Sequence, residues 1–407
     1  MHMRFTSGIS DAANPQQAAE AACGQALEQL AGASCDLACV FVSTTYGASW
    51  ADLLERLHER LKPGVLIGCS GSGIIGGGQE LEAIPAISVV AAHLPGVKLF
   101  PFLMSSDELE LSAAGGFWID KIGASPAAQP VFVLFADPYT CQPMKLLTEL
   151  NQTYRARPIV GGLVSGGSQP GEHLLFMGSE VFREGAVGVA MTGNIAMDTV
   201  ISQGCRPVGR PYVITKAEEN VVWQLGGRQA LTVLHEVLSS LSPEDRELAQ
   251  RGSIFVGMAI NEMRQTFLSG DFLIRNIIGI DANAGAIAIA EDAEVGHTLQ
   301  FQLRDPSASR QELRRLLQQL DPHQGTPPAG CLLFNCTGRG KSLYGVSHHD
   351  VKTIQTVKGK FPIGGFFCNG EIGPVGNTNF LHGYTASLGL FRPTGPEADA
   401  PKAKADA

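Results

Sequence analysis

Three copies of one glycine pattern contain most of the residues in this sequence that are suited to chemistry. The pattern is G-x-x-x-[SN]-G, and its copies begin at Gly68, Gly161 and Gly365. Each copy follows a short apolar run and supplies one polar side chain at its fifth position, namely Ser72, Ser165 and Asn369. A glycine-rich turn can present backbone N–H groups to an anion, because glycine reaches positive φ and admits a ligand closely. The same glycines can also let strands pack closely, so both roles stay open.

The third copy ends in a carboxylate that needs a partner. Glu371 stands alone in an apolar, glycine-rich stretch, and a buried carboxylate is costly unless it is paired. Its partner would be an arginine of the chain, either Arg339 or Arg275, or the amine of a bound ligand. The predicted ligand-binding residues are therefore Ser72, Ser165, Arg275, Asp281, Arg339, Asn369, Gly370, Glu371 and His382.

Two matches to nucleotide-binding motifs lack the context that those motifs require. Residues 71–76 read G-x-G-x-x-G, but the helix and the later acidic residue of a dinucleotide site are not indicated. Residues 335–342 end in G-K-S after a strand, but Asn335 replaces the first glycine of a P-loop. Phosphate binding by Arg339 and Lys341 stays open, whereas hydrolysis of a nucleoside triphosphate is disfavoured.

Cysteine and histidine chemistry is a further alternative. Cys368 or Cys336 as a nucleophile, with His382 or His348 as its base, would support a hydrolase or transferase. Thiols in apolar strands, however, usually act as small hydrophobes. The adjacent His348 and His349 point to different sides of a helix, which disfavours a shared metal. The main interpretation therefore assigns no catalytic residue, no metal and no cofactor.

The elements around the glycine pattern recur in one order. Each copy is preceded by a strand and then a helix, and the three strands end near Phe41, Phe135 and Phe334. Each copy is followed by an apolar stretch, at 87–91, 186–191 and 386–391. Because consecutive strands follow the glycines, mixed sheets are favoured over parallel ones. We predict an α/β (α+β) fold of repeated β-α-β-β units, with mixed β-sheets covered by helices and an α-β-β-α layering as the expected arrangement.

Local signals place several boundaries. Asn14 and Pro15 are typical of a helix start. Capping patterns pair Ser49 with Asp52 and Ser347 with Asp350. The turn-rich residues 281–285 are expected to join the strands on either side into a hairpin.

Length and composition suggest two domains and exclude several partners. The chain has 407 residues and a formal net charge of −9, without a Lys/Arg cluster for nucleic acid or an anionic membrane. No apolar run approaches the ~20 residues that span a bilayer, and nine cysteines without a CxxC pair fit a reducing, cytoplasmic setting. The expected divisions are a helical segment at 1–30, domains at 31–220 and 221–392, and a disordered tail at 393–407.

Short strings in a fixed order resemble the FIST family (F-box and intracellular signal transduction). They lie at 67–70, 158–162, 185–189, 203–209, 275–281, 335–340 and 364–374. The resemblance covers most of the chain and implies a FIST N plus FIST C pair with a sensory role in signal transduction. It implies small ligands, with amino acids as one class, and transfers no catalytic residue.

The combined interpretation is a cytoplasmic small-ligand sensor that acts through a separate protein partner. An amino acid suits the predicted residues, because arginine binds a carboxylate and Glu or Asp binds an ammonium group. A protein-interaction scaffold is the first alternative, and a hydrolase or transferase using Cys368 is the second. Neither nucleic acid nor membrane is expected as a partner, and homo-oligomerisation is left open.

Overall fold

A computed structural model describes residues 2–47, 50–320 and 327–394, and the chain forms two compact units. The first unit comprises Met1–Val200, Leu320–Leu381 and Ser387–Ala407, and the second comprises Ile201–Gln319 and His382–Ala386. The capping pattern at Ser49 and the predicted tail beyond residue 394 lie outside the described residues.

The described residues of the first unit form three six-stranded sheets that share one strand order. In order across the first sheet are β1 (Arg4–Ser10), β6 (Ile87–His93), β2 (Leu37–Ser43), β3 (Val65–Gly71), β10 (Leu175–Met177) and β11 (Glu180–Phe182). The second has β7 (Val97–Met104), β12 (Ala186–Gly193), β8 (Val131–Ala136), β9 (Ile159–Leu163), β24 (Glu371–Val375) and β25 (Thr378–His382). The third has β13 (Ala196–Ser202), β26 (Ala386–Arg392), β22 (Gly330–Cys336), β23 (Ile363–Cys368), β4 (Gly73–Gly76) and β5 (Gln79–Glu82).

Each sheet is completed by strands from a different part of the first unit. The two central strands are parallel in all three sheets, as β2–β3, β8–β9 and β22–β23. The hairpin that follows each glycine motif leaves its own sheet and pairs with the next one: β4 with β23, β10 with β3, and β24 with β9. We call β4–β5, β10–β11 and β24–β25 the exchanged hairpins. Their exchange closes a cycle that links the three sheets.

The helices of the first unit follow the local signals in part. They are α1 (Pro15–Leu30), α2 (Trp50–Leu61), α3 (Ser106–Leu111), α4 (Gly116–Ile122), α5 (Pro143–Thr153), α9 (Lys341–Tyr344) and α10 (His349–Lys358). The Asn14 cap is confirmed, since its side chain accepts from the backbone of Gln16 and Gln17. The Ser347 cap is wrong: α10 begins at His349 after His348, which has φ 63° and makes no side-chain capping bond. No helix in the described part of the chain combines the length and apolar character needed to cross a membrane.

The strand β1 was not predicted. Its sequence, RFTSGIS, mixes small and polar residues with few apolar ones, so no alternating pattern marks it. It is nevertheless mostly buried and pairs antiparallel with β6. The segment predicted as helical therefore contains both a strand and α1.

An aromatic core joins the three sheets. The rings of Phe41, Phe135 and Phe334 come from β2, β8 and β22, and their centroids lie 5.6, 5.9 and 6.5 Å apart. Phe366 of β23 stacks on Phe41 at 5.5 Å. The predicted mixed sheets covered by helices are confirmed. The layer order differs, because three sheets rather than two share this core.

The first glycine of each motif lets two backbones approach closely. A Cβ atom there would lie 1.8–2.1 Å from a carbonyl oxygen of the neighbouring strand; the glycine–oxygen pairs are Gly68–Val40, Gly161–Leu134 and Gly365–Leu333. No side chain fits at such distances. The first glycine of the pattern therefore serves strand packing. The hypothesis of a ligand contact now concerns only the residues that follow this glycine.

The second unit contains one eight-stranded sheet and three helices among its described residues. Its strands are β14 (Cys205–Pro207), β15 (Tyr212–Glu218), β16 (Val221–Leu225), β17 (Arg228–Gln229), β18 (Ile254–Ala259), β19 (Phe272–Asp281), β20 (Ala286–Ile289) and β21 (Thr298–Arg304). Its helices are α6 (Ala230–Ser240), α7 (Pro243–Gln250) and α8 (Pro306–Gln319). The predicted hairpin around 281–285 is confirmed as β19–β20.

Candidate functional site

The loops that follow β3, β9 and β23 meet and are tied together by Ser165. Its hydroxyl accepts from the backbone N–H of Ser72 at 2.9 Å and donates to the carbonyl of Phe367. The Ser70 hydroxyl donates to the carbonyl of Ser165 at 3.2 Å. We call the surface formed by residues 70–73, 164–168 and 368–371 the motif face. The sequence-predicted Ser72 and Ser165 thus contact each other, with Ser72 exposed and Ser165 buried.

Asn369 presents an amide on the motif face. The residue is exposed, and its backbone N–H donates to the carbonyl of Leu163 at 3.0 Å. Its side-chain Nδ2 donates to the carbonyl of Val164 at 3.4 Å. The next residue, Gly370, has φ 147°, and a Cβ there would press on two leucine side chains at 3.0–3.1 Å. Asn369 is therefore held at the surface with its amide accessible.

Glu371 is the last residue of the motif face and is not exposed on it. It is fully buried at the start of β24, opposite Gly162 of β9. Burial raises the pKa of the Cys368 thiol well above 9.0, and the nearby Glu371 and Cys69 raise it further. A thiol that stays protonated at neutral pH is a poor nucleophile, so the Cys368 enzyme alternative loses its chemical basis.

Arg339 is paired with an aspartate that sequence analysis had assigned to a helix cap. Its Nε donates to Asp350 Oδ2 at 2.9 Å and its Nη2 to Asp350 Oδ1 at 3.1 Å, with both side chains fully buried. Nη2 also donates to the Tyr344 hydroxyl at 2.6 Å. Although burial alone would raise it, the pKa of Asp350 lies below its usual range because of the Arg339 charge and a His349 hydrogen bond.

Two glutamates of the exchanged strand β5 reach the same region, and sequence analysis missed both. Glu80 Oε1 accepts from the backbone of Val351 at 2.7 Å. Glu82 accepts from the backbone of Lys341 at 2.9 Å, which places a carboxylate at the G-K-S segment where a P-loop would hold phosphate. The phosphate interpretation for Arg339 and Lys341 is therefore disfavoured, because internal carboxylates already contact both residues.

Asn335 is the second-last residue of β22 and carries a buried side-chain amide. The side chain is fully buried, and neither Oδ1 nor Nδ2 has a hydrogen-bond partner among the described residues. Such groups are rare and costly in folded proteins. In the sequence, Asn335 is marked only by its place at the end of an apolar strand. There it replaces the first glycine of a P-loop, and this difference does not indicate a buried amide.

A buried Asp137–His173 pair anchors the loop of the second copy. Asp137 Oδ1 lies 2.8 Å from His173 Nδ1, and His173 Nε2 lies 3.2 Å from the carbonyl of Gly167. Tyr139 stacks on His173 at 5.3 Å and donates its hydroxyl to the carbonyl of Ser168. Burial opposes ionisation of Asp137, but hydrogen bonds from His173 and Thr140 hold its pKa below the usual value. The pair fixes residues 167–168 of the motif face.

Replacing His173 with glutamine should lower the free energy of unfolding by about 2 kcal/mol, because the buried Asp137 carboxylate would lose a hydrogen-bond partner. Urea unfolding followed by circular dichroism measures this loss. Tyr139→Phe is the matched control, since it removes one exposed hydroxyl and should cost only about 0.5 kcal/mol. Equal losses for the two variants would contradict an anchoring role for His173.

The remaining sequence-predicted residues lie in the second unit and have local partners. Arg275 Nε lies 3.1 Å from Glu291 Oε2. Asp281 Oδ1 accepts from the backbone of Asn283 and Ala284 at 2.9 and 3.0 Å, which stabilises the hairpin turn. His382, in the short segment grouped with this unit, is 3% exposed. Both Arg275 and Asp281 therefore have structural contacts of their own.

Comparison with protein families decides where this architecture belongs. The FIST N domain model matches residues 36–228, and the FIST C domain model matches residues 230–374. The chain belongs to the FIST family. FIST domains are sensory domains of signal transduction.

Relatives of this FIST protein extend over nearly the whole chain. An uncharacterized protein of Mycobacterium tuberculosis is 39% identical over 390 residues, covering 96% of this chain and 100% of the relative. Another uncharacterized protein, from Mycobacterium bovis, is 36% identical and covers 96% of this chain and 99% of the relative. A solved structure titled "Cyanuric acid hydrolase: evolutionary innovation by structural concatenation" aligns with 97% of this FIST protein and 100% of that chain at 9% identity. Its TM-score is 0.29.

Proposed function

We propose that this FIST protein senses a small ligand at the motif face and passes the signal to a separate protein partner. The observation that carries the proposal is the meeting of the carboxyl ends of the central parallel strands from three sheets. Thr44 follows β2 and donates to the carbonyl of Gly166, while Thr337 follows β22 and donates its backbone N–H to Cys368. Ligands of α/β proteins bind outside the carboxyl ends of parallel strands.

The groups at the motif face favour a ligand with neighbouring donors and acceptors, such as an amino acid. The Asn369 amide and the Ser72 hydroxyl are exposed there and bind a carboxylate or an amide. The Glu371 carboxyl is buried two residues after Asn369 and would bind an ammonium group. The buried Asn335 amide adds donor and acceptor capacity next to the same strand ends. Arg339 does not supply the carboxylate contact in this proposal, because Asp350 holds its guanidinium.

A partner-binding surface is supported on the second unit. Met263, Leu268 and Val295 are large apolar side chains with 90%, 63% and 62% of their surface exposed. Ile278 and Ile280 of β19 are also more than half exposed. Exposed apolar side chains can mark protein contacts, and we propose that the signalling partner docks on the second unit.

A thermal-shift screen of the standard amino acids and their amides tests the ligand proposal. A bound ligand raises the melting temperature with its concentration, since it binds only the folded chain. We expect at least one compound to raise the melting temperature of the wild type and to lose that effect with Glu371→Gln. If no compound shifts the wild type, or if Glu371→Gln responds fully, an amino-acid ligand at this site is ruled out.

A further inference from the structure

The exchanged hairpin β4–β5 is fastened to α10 and α9 by ionisable groups. Glu80 accepts from the backbone of Val351, and its own N–H donates to His348 Nδ1 at 2.8 Å. Glu82 accepts from the backbone of Lys341 at 2.9 Å. Strand β5 lies at the edge of the third sheet and pairs with one strand, β4. The contacts of Glu80 and Glu82 therefore add to the hydrogen bonds that hold β5 in place.

The surroundings of Glu80 disfavour a second negative charge. The residue is 2% exposed, and burial followed by the charge of Asp350 raises the pKa of its carboxyl to about 8. Its Oε2 has no hydrogen-bond partner among the described residues. The titratable and charged groups on the elements packed against it are Asp350, His348, His349, Lys352 and Lys358 at α10, Arg339, Lys341 and Tyr344 at α9, and Glu82 on β5 itself. Glu80 therefore carries a proton at neutral pH.

On the exchanged hairpin β24–β25, the contacts of Asn379 with neighbouring elements are made by a neutral amide instead, while Glu371 and His382 lie at the two ends of this hairpin. The Asn379 amide accepts from the backbone of Ile159 at 2.8 Å and donates to the carbonyl of Arg157 at 2.9 Å. It also donates to Asn151 Oδ1 at 2.7 Å. The two hairpins occupy corresponding places in two sheets of equal strand order. Glu80 and Asn379 thus give one chain a titratable contact and a neutral one for direct comparison.

We propose that β5 is a proton-controlled latch, which rests on α10 while Glu80 is protonated and loosens when Glu80 releases its proton to solvent. The new carboxylate is then repelled by Asp350 and is better solvated away from α10. β4 stays in place, because Ile74 and Ile75 are fully buried. Glu82 pairs with Gly73, a residue of the motif face that directly follows Ser72. Loosening of β5 therefore removes the strand partner of Gly73 at the motif face. The latch does not depend on the ligand proposed for that face.

Hydrogen exchange of the full chain, corrected for the intrinsic pH dependence of exchange, tests the latch. A group with a raised folded-state pKa stabilises the closed form at low pH and loses that effect as pH rises to the folded pKa. The opening constant of β5 should therefore rise by about tenfold per pH unit between the ordinary glutamate pKa of 4.5 and the raised value of about 8, and level off above it. The opening constant at Asn379 of β25 should change much less over the same range, because its own contacts are made by amides.

Glu80→Gln is the decisive variant, because its amide oxygen still accepts from Val351 but cannot ionise. It should abolish the pH response of β5, whereas Glu110→Gln, at an exposed position, should retain it. An equal pH response in β5 and β25, or an unchanged response in Glu80→Gln, would overturn the latch. The wild-type comparison of the two hairpins decides the question even if Glu80→Gln folds poorly.

Discussion

Gly365→Ala should destabilise the first unit by about 3–5 kcal/mol. The added Cβ would lie 1.8 Å from the carbonyl oxygen of Leu333 and 2.8 Å from its carbon, and the backbone at Gly365 has φ 153°. Both atoms belong to the neighbouring strand, so relief requires separating β22 from β23 at the aromatic core. Urea unfolding monitored by intrinsic fluorescence and circular dichroism measures the loss.

Gly24→Ala is the matched control for this substitution. Gly24 lies inside α1, and a Cβ there meets nothing within 4 Å. The control should raise stability by about 0.5–1 kcal/mol, because alanine is the better helix former. A Gly365→Ala loss below about 1 kcal/mol would refute the close-packing role of the first motif glycine.

Arg339→Met should cost about 3–5 kcal/mol, because it leaves Asp350 as a fully buried charge without its guanidinium partner. Chemical unfolding at neutral pH measures the effect.

The double variant Arg339→Met with Asp350→Asn is the control for Arg339. Removing both charges should recover a large part of the loss, because the residues contact each other and their effects are not additive. If the double variant is less stable than the sum of the single losses predicts, the buried pair is not the source of the Arg339 effect.

Local structure was predictable where the signal lies within a few residues. The Asn14 cap bonds to residues two and three positions on, and the 281–285 turn is held by the Asp281 side chain. The strand and helix before each glycine motif follow from apolar periodicity alone. The sheet exchange was not predictable in this way, because β4 pairs with β23, nearly 300 positions further on, without a local signature.

The candidate site was predictable only in part, because some of its contacts join residues that are far apart in the sequence. Asn369 and Ser165 were found through the glycine pattern, and the structure places both at the motif face. Asp350 looked like a capping residue, since a single sequence does not show that it meets Arg339 in the core. Glu80 appeared as a charge after a glycine loop, and its burial depends on the exchange of β5 into the third sheet.

Calorimetric titration with a ligand from the thermal-shift screen tests the proposed function most directly. The wild type should bind with one-to-one stoichiometry, and Asn369→Ala should weaken binding by at least about tenfold, since one hydrogen bond to a charged group is worth about 1.5–3 kcal/mol. Asn283→Ala, at an exposed turn of the second unit, should bind as the wild type does. Equal affinity for the wild type and Asn369→Ala would contradict ligand sensing at the motif face.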